Sequence, residues 1–308
     1  MRFCTHVPVA PLREFIYDLW LYEDYTPTSH ANERILPSGT IELVVNLQER
    51  QLRIYELDNR SYRRFSGAVV SGPYGRCFVT DTAEEKAIMG IHFKPAGAFP
   101  FLGVPPEELV DAHVDLESLW GRSARELRER LCEASAPQAR FHLLEDALLR
   151  HLMRPLEHHW AVTATVKELT KSRARPLIRE IAKELGISQR RLIQVFAEET
   201  GLTPKLFGRI QRFQRTIAMV SDAKDLSDWS EIALRCGYFD QPILSAILWN
   251  SPGSRRPSIA STWNASGCRV FDESETMCPW SRRRESPGVA WLIVFNFFQY
   301  GKKATSVV

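Results

Sequence analysis

Two side chains that can read DNA bases, Arg190 and Gln194, are four residues apart, so a helix would carry both on one face. Arg and Gln are side chains that can form paired hydrogen bonds with base edges in the major groove. Ala197 would continue this face, and Gln189 and Arg191 flank it. The chemistry that this pattern could perform is recognition of nucleobases.

The surrounding residues predict two short helices, the second of which contains this face. Apolar residues recur at helical spacing over residues 177–185, and Gly186 follows where a helix end favours positive φ. Ser188 offers an N-cap oxygen to the second helix, and Gly201 would end it. The inner stripe of that helix would be Leu192, Val195 and Phe196. The pair is either a DNA-binding helix-turn-helix or an ordinary helical hairpin.

Basic residues are concentrated around the predicted helix pair. Residues 165–220 contain twelve Lys and Arg against five Glu, a surplus of seven positive charges, whereas the chain of 308 residues has a net charge of +3. A basic segment in a chain of mild overall charge indicates a polyanionic partner. A solvated helix face is the plainer explanation, but the charge and the outward Arg and Gln together favour double-stranded DNA.

The segment IAKELGISQRRLIQVFAEETGLTPKLFGRIQRFQRTIAMV, with DWSEIALRCGYFDQ after it, resembles the AraC/XylS family of bacterial transcription regulators. The resemblance covers about 65 residues and implies two helix-turn-helix units joined by a long helix. The first unit would span about 175–201, the connecting helix would run from Pro204 to about Ser221, and the second unit would open at Trp229.

The resemblance also implies which residues contact DNA. Ile193 stands at a base-reading position of the family but is not polar. It can offer only apolar contact, for instance to a thymine methyl group. The residues expected at bases are Gln189, Arg190, Ile193 and Gln194, and those expected at phosphates are Ser188, Arg191, Lys205, Arg209 and Arg212.

The resemblance stops after Gln241. Pro242, Pro252 and Gly253 argue against a continuous helix where the family has its second recognition helix. One choice of codons for residues 242–260, read two bases later, gives HFIRDFVEFSGLSPTVYR, which matches the missing family segment. We therefore hypothesise a one-base deletion near codon 242, which would make residues 242–308 an out-of-frame tail, disordered or irregular. The nucleotide sequence at that codon tests this.

The first 120 residues predict short strands with Gly and Pro turns, which are typical of a β-barrel or sandwich. The segments ERILPSGTIELVVNL and GIHFKPAGAFPFLGVPPEEL resemble the cupin-like sensor domain found ahead of some AraC-type DNA-binding domains. This implies a small-molecule effector of unknown identity. The predicted strands are residues 40–47, 51–57, 68–71 and 86–93.

Residues from about 105 to 157 predict helices. One apolar stripe in this region could form a seam between two subunits or pack on its own domain, and packing on its own domain is the favoured reading. The stripe consists of Phe141, Leu144, Leu148 and Leu152.

The sequence contains few residue patterns that would indicate catalysis, metal binding or membrane insertion. The eight histidines include no His-x-His pair; His92 is alone on its predicted strand, and His158 and His159 would point to different faces of a helix. No Gly-rich phosphate loop, Ser-His-Asp order or nucleophilic cysteine context is present. The six cysteines lack C-x-x-C spacing and are read as free thiols of a cytoplasmic protein. No signal peptide is visible, and the apolar run at 289–298 is too short to span a bilayer.

The sequence therefore predicts an α+β chain: a cupin-like β-barrel with a helical extension at 1–155, an all-α helix-turn-helix domain with an incomplete second unit at 156–241, and the tail at 242–308. The expected function is sequence-specific transcription regulation without catalysis, metal or cofactor. The alternative is a small-molecule-binding module whose DNA-binding half is inactive. A homodimer and RNA polymerase contact are further partners left open.

Overall fold

Short strands with alternating burial form the N-terminal part of the chain. The computed structural model describes residues 2–23, 32–55, 61–81, 86–171 and 176–222. The strands in these ranges are β1 Arg2–His6, β2 Ile16–Glu23, β3 Asn32–Ile35, β4 Glu42–Asn46, β5 Gln51–Tyr55, β6 Tyr62–Ser66, β7 Ala68–Ser71, β8 Phe78–Asp81, β9 Ile88–Phe93 and β10 His113–Asp115. The β4 strand shows why they form: Leu43 and Val45 are fully buried on one face, while Glu42 and Val44 alternate with them on the other.

Among the described residues, all strand pairs are antiparallel and belong to two sheets. The first has the order β1-β2-β9-β4-β7-β10 and the second β3-β8-β5-β6. Described strands pair within each sheet and not between the sheets. This part of the chain is therefore a two-sheet sandwich, one of the two arrangements that the strand pattern predicts, and not the barrel that the resemblance implies.

The two faces of the six-stranded sheet have different partners. Its outer face carries Leu19, Leu43 and Ile91 and packs in the main hydrophobic core with helices from later in the chain. Its inner face faces the four-stranded sheet, because Val69 packs in a second cluster with Phe65 and neighbouring side chains of that sheet. The six-stranded sheet thus packs against helices on its outer face and against the four-stranded sheet on its inner face, in two separate hydrophobic clusters.

Seven α-helices follow the strands in the described residues. They are α1 Leu116–Trp120, α2 Arg122–Glu133, α3 Pro137–Arg150, α4 Trp160–Lys171, α5 Ile178–Glu184, α6 Gln189–Thr200 and α7 Pro204–Asp222. Helix α3 contributes Phe141, Leu144 and Leu148 to the main core, while Leu152 beyond its end is 39% exposed. Three of the four residues of the predicted apolar stripe thus pack within their own domain.

The chain divides into two compact units, residues 1–210 and 211–308. The first contains the sandwich and helices α1 to α6; of the second, the structure describes residues 211–222. The second helix-turn-helix unit predicted from Trp229 and the tail predicted at 242–308 lie outside the described residues.

Candidate nucleic-acid interface

Helices α5 and α6 lie where the sequence predicts a helix pair. The turn between them passes through Gly186 at φ +67°, a conformation that glycine adopts without strain. The Ser188 hydroxyl then accepts a 3.1 Å hydrogen bond from the backbone N–H of Arg191 and caps α6. The helix ends at Gly201, which is left-handed at φ +78°.

The inner face of α6 holds the helix pair together. Leu192 and Phe196 are fully buried and Val195 is 3% exposed, in a cluster that includes Ile181 of α5. The ring of Phe196 meets that of Phe207 of α7 edge to face at 5.6 Å. These contacts fill the inner face along the first two turns of the helix, so the polar side chains of Gln189, Arg190 and Gln194 point away from the core.

The predicted base-reading residues lie on the outer face of α6. Gln189, Arg190 and Gln194 are exposed, and Ile193 is half-buried at the border between the faces. The structure thus brings the three polar candidates together on one solvent-facing surface, which we term the α6 face.

The predicted phosphate-contacting residues divide into exposed and buried members. Ser188, Arg191, Lys205 and Arg209 are exposed, and the Ser188 hydroxyl can still donate a hydrogen bond while it caps the helix. Arg212 is only 8% exposed. A buried side chain cannot reach a phosphate at the surface, so Arg212 as placed here is not a phosphate contact.

The electrostatics at the start of α6 are unusual for a helix. The first turn of α6 contains no acidic residue, although acidic side chains are favoured beside the positive end of the helix dipole. Arg190 and Arg191 stand there instead. A positive helix terminus with two exposed guanidinium groups is suited to an anion such as a DNA phosphate.

The opposite end of α6 is held by Glu199, which the sequence analysis counted only among the five Glu of residues 165–220. Glu199 is 8% exposed, and its carboxylate accepts a 2.8 Å hydrogen bond from the backbone N–H of His159. Its other oxygen lies 3.6 Å from Nδ1 of His158, whose ring packs on that of Phe15 at 4.5 Å. His158 and His159 precede α4 rather than lying in a helix, which corrects the expectation that they occupy opposite helix faces. A charge at a buried helix position has no distinctive sequence signal.

Loops of the sandwich also contact the helix pair. A Cβ atom placed on Gly201 would lie 2.6 Å from the carbonyl oxygen of Pro106 and 2.7 Å from Cγ of Pro73. Ala96, which follows β9, lies in the same hydrophobic cluster as Leu192. The helix pair is therefore packed directly against the sandwich within one compact unit.

Comparison with known proteins identifies only part of the chain. Residues 4–115 match a family model described as a domain of unknown function, DUF6597. No curated protein matches the chain. The match places the sandwich in a recognised sequence group without assigning it an activity.

Similar solved structures include three of ToxT from Vibrio cholerae. ToxT of strain SCE256 with a bound unsaturated fatty acid is 8% identical with a TM-score of 0.38, over 80% of this chain and 92% of that chain. ToxT of strain O395 is 9% identical with a TM-score of 0.37, over 80% and 92% of the two chains. The O395 protein bound to (E)-4-(8-methylnaphthalen-1-yl)but-3-enoic acid is 8% identical with a TM-score of 0.39, over 80% and 94%. TM-scores below 0.5 are too low to establish a shared fold or function.

Neither a metal centre nor a membrane-spanning helix is found in the described residues. No group of three or more His, Cys, Asp or Glu side chains in these ranges is arranged to hold a metal ion. No helix in the same ranges combines the length and apolar character needed to cross a bilayer.

Proposed function

We propose that this protein is a DNA-binding transcription regulator of the AraC type, in which α6 enters the major groove and the sandwich receives a small-molecule effector. The observation that supports it best is the α6 face, where Arg190 and Gln194 are exposed on a helix whose opposite face packs in the core through Leu192, Val195 and Phe196. Base contacts would come from Gln189, Arg190 and Gln194, with apolar contact from Ile193.

Phosphate contacts in this proposal come from the edges of the same surface. Ser188 and Arg191 lie at the start of α6, and Lys205 and Arg209 are exposed in the first part of α7. Such contacts set the register of the protein on the duplex and carry no sequence information, whereas the α6 face supplies the specificity. RNA polymerase and a second copy of the chain are further partners of a regulator of this type.

Fluorescence anisotropy with labelled fragments of genomic DNA tests the proposal. We expect a fragment that binds more tightly than bulk DNA, with an affinity that decreases steeply as salt increases. Arg190→Ala should reduce the affinity for that fragment by about 5- to 150-fold, which corresponds to about 1–3 kcal/mol for a bidentate base contact. Arg122→Ala is the matched control, because Arg122 is an exposed arginine on α2, away from the α6 face. Equal affinity of wild type and Arg190→Ala would exclude α6 as the recognition helix.

The alternative, a small-molecule-binding module without DNA binding, is favoured by one observation. The family pattern ends at Gln241, where the sequence of a second recognition helix would be expected. A chain in which residues 242–260 are replaced by HFIRDFVEFSGLSPTVYR distinguishes the two. If the native chain binds no DNA and the replaced chain does, the alternative is correct for the native protein and the frame hypothesis gains direct support.

A further inference from the structure

Strand register places five polar residues in one line across the inner face of the six-stranded sheet. Asp18 of β2 pairs with His92 of β9, which also pairs with Glu42 of β4. Glu42 pairs in turn with Ser71 of β7, and Ser71 with His113 of β10. Directly paired residues of antiparallel strands point to the same face, so this polar row faces the sandwich interior.

Hydrogen bonds join the members of the polar row at each end but not at its centre. Nδ1 of His92 lies 2.7 Å from Oδ1 of Asp18, and Nδ1 of His113 lies 2.9 Å from Oγ of Ser71. Among the described residues, the Glu42 carboxylate forms neither a hydrogen bond nor an ion pair. A carboxylate between two sheets is stabilised by a hydrogen-bond donor, and most strongly by a cationic one.

The charges around Glu42 support this reading. Burial raises the pKa of Glu42; His92 opposes that effect and Asp18 adds to it. Burial opposes protonation of His92, but the hydrogen bond with Asp18 and the charges of Glu42 and Asp18 outweigh it and raise its pKa. His92 therefore lies between two carboxyl groups, and its ring is already hydrogen-bonded to Asp18. The Glu42 carboxylate can therefore accept a hydrogen bond from a cationic group of a ligand.

The other end of the polar row offers a different environment. His113 is 7% exposed, and its Nε2 has no hydrogen-bond partner among the described residues. Burial, with a smaller effect of the Arg63 charge, lowers the pKa of His113 to about 3, so the ring is neutral. The rings of Tyr74 and Phe78 lie 4.7 Å and 4.6 Å from it. This end suits an uncharged or aromatic group.

Several side chains between the two ends are not fully buried. Glu42 and Val44 on the six-stranded sheet, and Phe78 and Thr80 on the opposite sheet, keep partial exposure although they lie on interior-facing positions. The Thr80 hydroxyl has no hydrogen-bond partner among the described residues. Strands two apart in a sheet are separated by about 10 Å, so Glu42 and His113 delimit a site for a small molecule.

We propose that the sandwich interior binds a small amphipathic amine, whose ammonium group is held by Glu42 and whose apolar or aromatic body extends toward Val44, Phe78 and His113. This inference rests on the effector role in the proposed function and adds the chemical class of the effector. The row does not provide a metal site, since no group of ligands in the described residues is arranged to hold one.

Both ends of the site are close to loops that hold the helix pair. Gly39, three residues before Glu42, lies so near α7 that a Cβ atom there would be 3.3 Å from Cγ2 of Ile210 and 3.5 Å from Cδ2 of Phe207. Tyr74, which packs on His113, follows Pro73, the residue beside Gly201. A bound amine is thus placed where it can alter the loops against which α6 and α7 pack.

Calorimetry and thermal shift on the full chain test the proposal with matched probes. One set is tyramine, 4-ethylphenol and 4-hydroxyphenylacetate; the other is hexylamine, 1-hexanol and hexanoate. We expect at least one amine to bind and raise Tm, while its neutral and carboxylate counterparts bind at least about tenfold more weakly because they lack the charge-assisted hydrogen bond.

Glu42→Gln should reduce amine affinity by about tenfold or more, since it retains the shape but removes the charge. Glu126→Gln on α2 is the control, because Glu126 is exposed and outside the sandwich interior. Urea unfolding of Glu42→Gln verifies that the variant folds. Binding of carboxylates in preference to amines, unchanged amine affinity in folded Glu42→Gln, or no binding of either amine would overturn the proposal.

The two proposals fail in distinguishable ways, because amine binding is measured without DNA. Amine binding in a protein that binds no DNA leaves this inference standing and removes the regulator function. DNA binding without amine binding supports the regulator function and excludes the amine site. If both occur, the amine should also change DNA affinity in wild type but not in Glu42→Gln.

Discussion

The carboxylate of Glu199, near the end of α6, accepts a 2.8 Å hydrogen bond from the backbone N–H of His159, just before α4. The same carboxylate faces His158, whose ring packs against that of Phe15 of the sandwich domain at a tilt of 35°. One buried acid therefore ties α6 to the segment just before α4 and, through His158, to the sandwich domain. The orientation of the α6 face depends on this contact as well as on the hydrophobic core.

Glu199→Ala should destabilise the protein by about 1–3 kcal/mol, because it leaves the His159 N–H without its acceptor in a partly buried position. Urea denaturation measures the change. Glu198→Ala is the control, since Glu198 precedes Glu199 on the same helix but is exposed. Similar effects of the two substitutions would show that the hydrogen bond contributes little.

Lys205→Gln and Arg209→Gln should each weaken DNA binding to all sequences alike. Each change removes one exposed positive charge at the edge of the α6 face. If the removed charge contacts a phosphate, the slope of log affinity against log salt should become shallower by about 0.9 per residue. The measurement is anisotropy over a salt series. A loss confined to one preferred fragment would instead assign these residues a role in base recognition.

Gly201→Ala should destabilise the protein more than Gly186→Ala. Both glycines have positive φ, at +78° and +67°, so alanine is strained at either position. Only Gly201 is crowded: its added Cβ would lie 2.6 Å from the Pro106 carbonyl oxygen, whereas nothing lies within 4 Å at Gly186. Gly186→Ala should cost about 1 kcal/mol, as expected for backbone strain alone.

The difference between the two glycine variants measures the contact of the helix pair with the sandwich. Thermal or urea unfolding gives both values. Equal destabilisation would mean that the loop at Pro106 moves away without cost, and the packing between α6 and the sandwich would then be loose.

Acid should destabilise the folded chain partly through His113. The folded pKa is about 3, below the usual value of 6.5, so the unfolded chain binds a proton that the folded chain excludes between these two pH values. Stability therefore decreases as the pH is lowered from about 6.5 to about 3, by at most about 1.4 kcal/mol per pH unit for one group.

His113→Gln isolates the contribution of this imidazole, because glutamine can still hydrogen-bond Ser71 but does not titrate. Urea unfolding at a series of pH values should give a shallower acid slope for the variant than for wild type. Parallel slopes would show that His113 gains a proton within the folded protein without penalty.

Sequence and structure agree best where short-range signals decide the conformation. Gly186, Ser188 and Gly201 mark the ends of α5 and α6, and the 3.6-residue spacing of Leu192, Val195 and Phe196 sets which face is buried. From these local features alone, Arg190 and Gln194 could be placed on the outer face. Their role as base readers stays a prediction.

Contacts between residues that are distant in the sequence could not be predicted from such local features. His92 seemed an isolated strand histidine, yet it lies between Asp18 and Glu42, which are 74 and 50 positions away. Glu199 entered the sequence analysis only as one of five Glu in a charge count, because its partners, His158 and His159, are about 40 positions earlier. Arg212 was taken for a phosphate contact and is buried.

The sequence by itself determined the helix pair, its caps, its polar outer face and the strand-rich character of the first 120 residues, because neighbouring residues control caps, turns and periodicity. Only the tertiary structure decided that the sheets form a sandwich, that the polar row crosses its interior and that Glu199 fastens α6 to the rest of the domain. Strand register and helix docking depend on pairing between distant segments, and the alternation of side chains within one strand does not specify which partner it meets.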